Sequence, residues 1–225
     1  MNFCPCLQKR NLVAGGLAIV AVGLFLSACC TFAPRDEAFE RQVRERFEAA
    51  SGGETIALFD GESLAGWSAH RLGRWYVEDG AIVGWRGLGY LATRYEGFDD
   101  FELRLEANIN PEGNSGVFFR ARHPGWGLRP WPFGYEAQID HHDPQNRTGA
   151  IYDIANASEM LSQDGEWFAM RVRAKGPSIE VAVNGEVVSA VTDDRFTEGF
   201  IALQAHDPGS IVRFRNIEIT PLGTE

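Results

Sequence analysis

The body of this chain contains no cysteine. All four cysteines of its 225 residues, Cys4, Cys6, Cys29 and Cys30, lie near the start. No disulfide framework, thiol nucleophile or cysteine-based zinc site can therefore form further on, and a packed core must supply stability. Basic charge is also scarce, with 21 Lys and Arg against 31 Asp and Glu for a formal charge of −10. An acidic chain without a basic cluster is a poor partner for nucleic acid, because phosphate neutralisation dominates that affinity. Small neutral or cationic ligands suit it better. From Glu54 to Leu222 there is no long helical periodicity and no internal repeat. Neither a nucleophile elbow nor a phosphate-cradling loop nor an H-E-x-x-H motif is present. The close E-x-D-x-x-E arrangement of laminarinase-like sandwiches is missing too.

What is present begins with an apolar run. Lys9 and Arg10 precede a stretch from Leu12 to Leu26, and Leu26-Ser27-Ala28-Cys29 follows. A basic segment, about fifteen apolar residues and a small-residue site make a secretory signal rather than a spanning helix. The last four residues resemble a bacterial lipobox, which implies cleavage after residue 28 and a lipid on Cys29; an ordinary signal peptide or an uncleaved anchor is the alternative. The lipid reading places the protein at the bacterial cell envelope, held to the membrane by acyl chains. Residues 29–53 then form a tether. Within it Phe39, Val43 and Phe47 are spaced four apart among charges, the stripe of a short amphipathic helix. We expect a spacer helix packing lightly on the domain, with a partner-binding helix as the alternative.

Residues 54–222 read as one β-sandwich of two antiparallel sheets. Short β-rich runs recur between Gly, Asn, Asp and Pro clusters: "TIALF", "WYVEDGAIVGW", "FELRLEANI", "SGVFFRARH", "YEAQID", "WFAMRVRAK", "SIEVAVNGEVVSAV", "GFIALQAH" and "IVRFRNIEIT". Asp-Gly and Asn-Gly between apolar runs predict two tight hairpins, at Asp79-Gly80 and Asn184-Gly185.

Three of these runs carry polar groups on one parity. In the eighth run, "GFIALQAH", Gln204 and His206 alternate with apolar Leu203 and Ala205. In "YEAQID", Glu136, Gln138 and Asp140 alternate with Tyr135, Ala137 and Ile139, and His141 and His142 follow. In "NSGVFFRAR", Asn114 and Arg120 share a parity opposite to Val117 and Phe119. If the strands share a sheet, Arg120, Glu136, Gln138, Asp140, Gln204 and His206 line one surface. Solvated carboxylates, a cross-strand ion pair at Arg120 and a turn at His206 would explain the members singly. The loop "RHPGWGLRPWPFG" adds Trp126 and Trp131, which suit the apolar face of a sugar ring or simply pin the loop to the core. A two-carboxylate glycosidase needs its pair about 5–9.5 Å apart. Glu136 and Asp140, four residues apart on one strand, stand about 13 Å apart and cannot be that pair alone.

Taken in order, "LFDGESLAGW", "WYVEDGAIVG", "FELRLEANINPEGNSGVFFRAR", "GYEAQID", "RTGAIYDIA", "GEWFAMRVRAKGPSIEVAVNGEVV" and "GFIALQAHD…VRFRNIEI" resemble the 3-keto-disaccharide hydrolase domain over about residues 54–220. The resemblance implies a concanavalin-like jelly roll and action on 3-keto-glycosides. A ketone at C3 acidifies the C2 proton, so a base removes it, the C1 substituent leaves, and water adds back. On this reading Glu136 or His206 is the base and Arg120 stabilises the oxyanion. Asn114, Gln138, Asp140 and Gln204 orient hydroxyls, with Trp126 and Trp131 beside the sugar. A divalent metal held by Glu136, His206, His141 or His142 is the alternative electrophile. The substrate would come from a partner oxidoreductase. A non-catalytic, lectin-like carbohydrate-binding module on the same jelly roll is the competing reading.

Overall fold

The computed structural model describes residues 33–50, 52–125 and 130–223. The signal segment, Cys29 and Trp126 lie outside the described residues. One helix, α1 (Ala33–Ala49), precedes thirteen strands among the described residues: β1 (Ile56–Ala57), β2 (Trp67–Arg71), β3 (Arg74–Glu78), β4 (Ala81–Trp85), β5 (Gly89–Thr93), β6 (Phe101–Ile109), β7 (Asn114–Arg122), β8 (Phe133–Asp140), β9 (Phe168–Lys175), β10 (Ser178–Val183), β11 (Glu186–Thr192), β12 (Phe200–Ala205) and β13 (Ile211–Pro221). No described helix is long and apolar enough to cross a membrane.

The strands form two antiparallel sheets, the sandwich expected. The larger runs β11-β10-β9-β6-β13-β4-β3, with β1 also paired to β13; the smaller runs β2-β5-β12-β7-β8. Alternation decides which face meets which. Leu103, Leu105, Val172, Val212 and Phe214 of the larger sheet pack against Leu91, Val117, Phe119, Tyr135, Ala137, Ile139, Ile201 and Leu203 of the smaller. Both hairpins form as two-residue turns in which each central residue has positive φ: 49° and 73° at Asp79 and Gly80, 51° and 92° at Asn184 and Gly185. This turn matches the right-handed twist of its strands, and Asn or Asp followed by Gly adopts it at little cost.

Two elements of the smaller sheet, β2 and β5, were not among the strands read from the sequence. "WSAHR" and "GYLAT" are five residues each, and neither shows a clean polar alternation. β5 is buried along its whole length between β2 and β12, so the alternation that marks a half-exposed strand has no reason to appear.

The helix does more than pack lightly. Val43 and Phe47 join the main core at 6% exposure each, with Phe39 against it. The Phe47 ring meets Phe98 edge-on at 4.9 Å. Asp36 in the first turn and Arg46 in the last suit the helix dipole, and both also reach the sandwich: Arg46 pairs with Glu54 at 2.7 Å and Asp36 with Arg94 at 3.4 Å.

Candidate functional site

On the outer face of the smaller sheet, the register sets polar groups side by side. Gly116 of β7 pairs with Gln138 of β8, and Phe118 with Glu136. On the other flank Val117 pairs with Leu203, which puts Gln204 beside Gly116. These side chains floor a pocket of about 490 Å³ that Asn114, Trp131 and His206 also line. Gln138 donates to the Asn114 side-chain oxygen at 3.3 Å. Gln204 is 2% exposed, and its side-chain oxygen has no hydrogen-bond partner inside the protein. A buried amide oxygen left so costs about 1–3 kcal/mol until a donor reaches it, so this floor is built to receive one. The Trp131 ring stacks on His206 at 5.1 Å and 19°, forming an aromatic wall.

Two loops complete the pocket. The long connection from β8 to β9 runs back along the free edge of β8, where Gln138 donates to the Ala150 carbonyl, Gly149 to Gln138 and Tyr152 to Glu136, each at 2.9 Å. The edge is thereby closed against pairing with another chain. Ala137 opposes Ile151, so Tyr152 stands next to Glu136, and Asp153 follows it into the pocket lining. The second loop, before β12, brings Arg195 and Phe196. Arg195 is clamped by Asp193, with Nε 2.9 Å from Oδ2 and 3.0 Å from Oδ1. That pairing holds the Asp193 carboxyl well below its ordinary range. Asp193 in turn accepts from the Tyr135 hydroxyl at 2.5 Å. Burial, with Asp193 adding, pushes the Tyr135 phenol up to about 12. Arg195 is thus held at the pocket by Asp193, which the Tyr135 hydroxyl of β8 anchors in turn.

Residues 54–220 match the 3-keto-alpha-glucoside-1,2-lyase-like domain. The chain belongs to that family. This lyase-like domain is also similar in fold to two solved structures, each of a candidate glycosyl hydrolase from Parabacteroides distasonis. They are 24% and 26% identical, both with a TM-score of 0.65, and the alignments cover 75% and 76% of this chain and 94% and 100% of theirs. The carbohydrate-binding module CBM66 from Bacillus subtilis shares the fold at 18% identity and a TM-score of 0.55, over 68% of this chain and 94% of that one. No functionally curated protein matches the chain.

Against this geometry, the sequence expectations for the lyase-like domain divide. Glu136, Gln138, Gln204, His206, Asn114 and Trp131 come together in one pocket. Arg120 does not. A β-bulge with φ +47° at Arg120 reverses the alternation, so Ala121 takes the outer face with Phe118 while Arg120 turns inward at 1% exposure. There its guanidinium donates to the Asp99, Gly176 and Phe196 carbonyls and to the Asp100 carboxylate. It ties loops together behind the pocket, meets the lining only at the Phe196 main chain and is itself absent from the lining, so it is not the oxyanion group.

Asp140 is also outside the pocket lining. Its Oδ1 accepts from the His142 and Asp143 amides at 2.7 and 3.1 Å, which turns the chain after β8. His141 and His142 converge on Asp164 instead, at 2.7 and 2.9 Å, and His141 also bonds Ser162. The four proposed metal ligands therefore split between the pocket, with Glu136 and His206, and this loop clamp. Among the described residues no three His, Cys, Asp or Glu side chains gather as a cation site, so the residues do not fit the divalent metal considered above.

Sequence reading missed Tyr152, Asp153, Arg195 and Phe196. They sit on irregular segments, where no periodicity marks a face. The only sequence trace of the first two is the run "AIYD" inside a family motif.

Proposed function

We propose that this pocket binds a 3-keto-glycoside and eliminates the substituent at C1. Family membership brings the reaction class. The observation that carries the placement is the buried Gln204 amide, its oxygen unpartnered, in a pocket shared with Glu136 and His206. Glu136, 8% exposed on the pocket floor, is the first candidate to take the C2 proton, and His206 the second. The electrons of the C2–H bond form the C1–C2 double bond, the C1–O bond breaks, and the leaving oxygen collects a proton. Water then adds at C1 and a proton returns to C2, giving net hydrolysis. Asn114, Gln138 and Gln204 hold the sugar hydroxyls, and Trp131 covers a ring face. Arg195, rather than Arg120, is the guanidinium available to the charge developing in the pocket. The lipobox-like sequence supports a lipid on Cys29 and a location at the bacterial cell envelope, where an oxidoreductase would supply the keto-sugar.

The test is release of the chromophore from an aryl 3-keto-glucoside and from the plain glucoside, with and without chelator. Release from the keto compound alone, lost in Glu136→Gln and retained in His206→Asn, is expected. Loss in His206→Asn with activity kept in Glu136→Gln would move the base to His206. Sugar binding without release from either compound would make the domain a lectin-like binding module.

A further inference from the structure

Gly116 sits in the middle of β7, where glycine weakens a strand unless something approaches closely. Its φ is not positive, so the backbone conformation does not require it. What requires it is Glu136. A methyl group on Gly116 would overlap the Glu136 Oε1 and stand 2.8 Å from its Cγ and 2.9 Å from its Cδ. Carbon atoms pack at about 3.5–4.0 Å, so both side chains cannot occupy the space.

The register explains the direction of the reach. Glu136 pairs directly with Phe118, yet its carboxylate lies over Gly116, one same-face step along β7. The reach across from edge strand β8 to β7 brings it onto the row that holds Gln138 and Gln204. Phe118, 3% exposed, closes the alternative space directly opposite.

We propose that Gly116 is a positioning residue: its missing side chain is the seat of the Glu136 carboxylate and sets where that carboxylate meets the sugar. In its catalytic consequence this rests on the function proposed above; the seat itself does not. With alanine at 116 the carboxylate must swing out of the floor. A misplacement of about 1 Å can cost about 100-fold in turnover.

A double-mutant cycle in the full chain tests this, using Gly116→Ala, Glu136→Ala and the pair. The readouts are the melting temperature, the affinity for glucoside by calorimetry, and kcat and KM on the aryl 3-keto-glucoside. In the native background Gly116→Ala should lower the melting temperature and reduce kcat about 100-fold, with KM changed far less and the pH–rate profile displaced. Once Glu136→Ala has removed the carboxylate, adding Gly116→Ala should change neither melting temperature nor affinity. Equal losses in both backgrounds would overturn the proposal, because the methyl group would then be meeting something other than Glu136. If Gly116→Ala alone fails to fold, a folded double variant supports the seat, and a double variant that also fails while Glu136→Ala folds refutes it. A wild-type protein inert towards the keto-glucoside, with a non-additive cycle in melting temperature, would refute the elimination reading and leave the seat standing.

Discussion

Single residues on the outer face of the smaller sheet differ sharply in what their surroundings ask of them. Beyond the pocket, His70 of β2 stacks on Tyr90 of β5 at 5.0 Å and leans on His123 at 4.4 Å, while the Tyr90 hydroxyl meets His123 Nδ1 at 2.9 Å. Burial, with His123, Arg71 and Arg94 nearby, lowers the His70 pKa from its ordinary 6.5 to about 4. The folded protein therefore keeps this ring neutral where the unfolded chain would protonate it. The stability that His70 contributes in this way is complete above pH 6.5 and is lost as the pH falls from 6.5 to 4. Denaturant midpoints at pH 7 and pH 4.5 should show that decline in the native protein and a smaller one in His70→Phe. An equal decline in both would mean that His70 is not responsible.

Among the elements, α1 behaves as part of the sandwich although the family match begins only at residue 54. Its apolar stripe meets Phe98 and Tyr95 at the end of the smaller sheet. Gly66 leaves the room that the Phe39 ring fills. Removing a buried aromatic side chain leaves a cavity, so Phe47→Ala should cost about 3–5 kcal/mol. In a chain of this size that lowers the melting temperature by roughly 6–20 °C. Glu45→Ala on the exposed face should change it little. Thermal melts of the two variants decide whether the helix is an attached spacer or a fixed part of the fold.

For the molecule as a whole, the open question is whether the lipobox-like start of the chain carries a lipid. If a lipid on Cys29 holds the protein, Cys29→Ser should shift it from the membrane pellet to the soluble fraction of fractionated cells. Keto-glucoside activity per molecule should stay unchanged. Continued pelleting of Cys29→Ser would point to an uncleaved anchor. The pocket volume of about 490 Å³ suits a small sugar better than a threaded polymer.

The sequence alone determined the sandwich, both hairpins and the polar character of β8 and β12. These are local matters: side chains alternate with period two, and Asn-Gly or Asp-Gly turns fold without distant help. It also brought six of the pocket residues onto one list: Glu136, Gln138, Asn114, Gln204 and His206 lie on strands or at their ends, and Trp131 lies in an aromatic loop before β8. The tertiary structure decided the rest. One bulge at Arg120 exchanged inside for outside, because a single extra residue reverses parity for everything beyond it. Asp140 and the two histidines were claimed by a turn and by Asp164, partners that lie up to 23 residues away along the chain. Tyr152 and Arg195 entered the pocket on loops whose paths follow from edge pairing and from the Tyr135–Asp193 contact, neither of which leaves a period in the sequence.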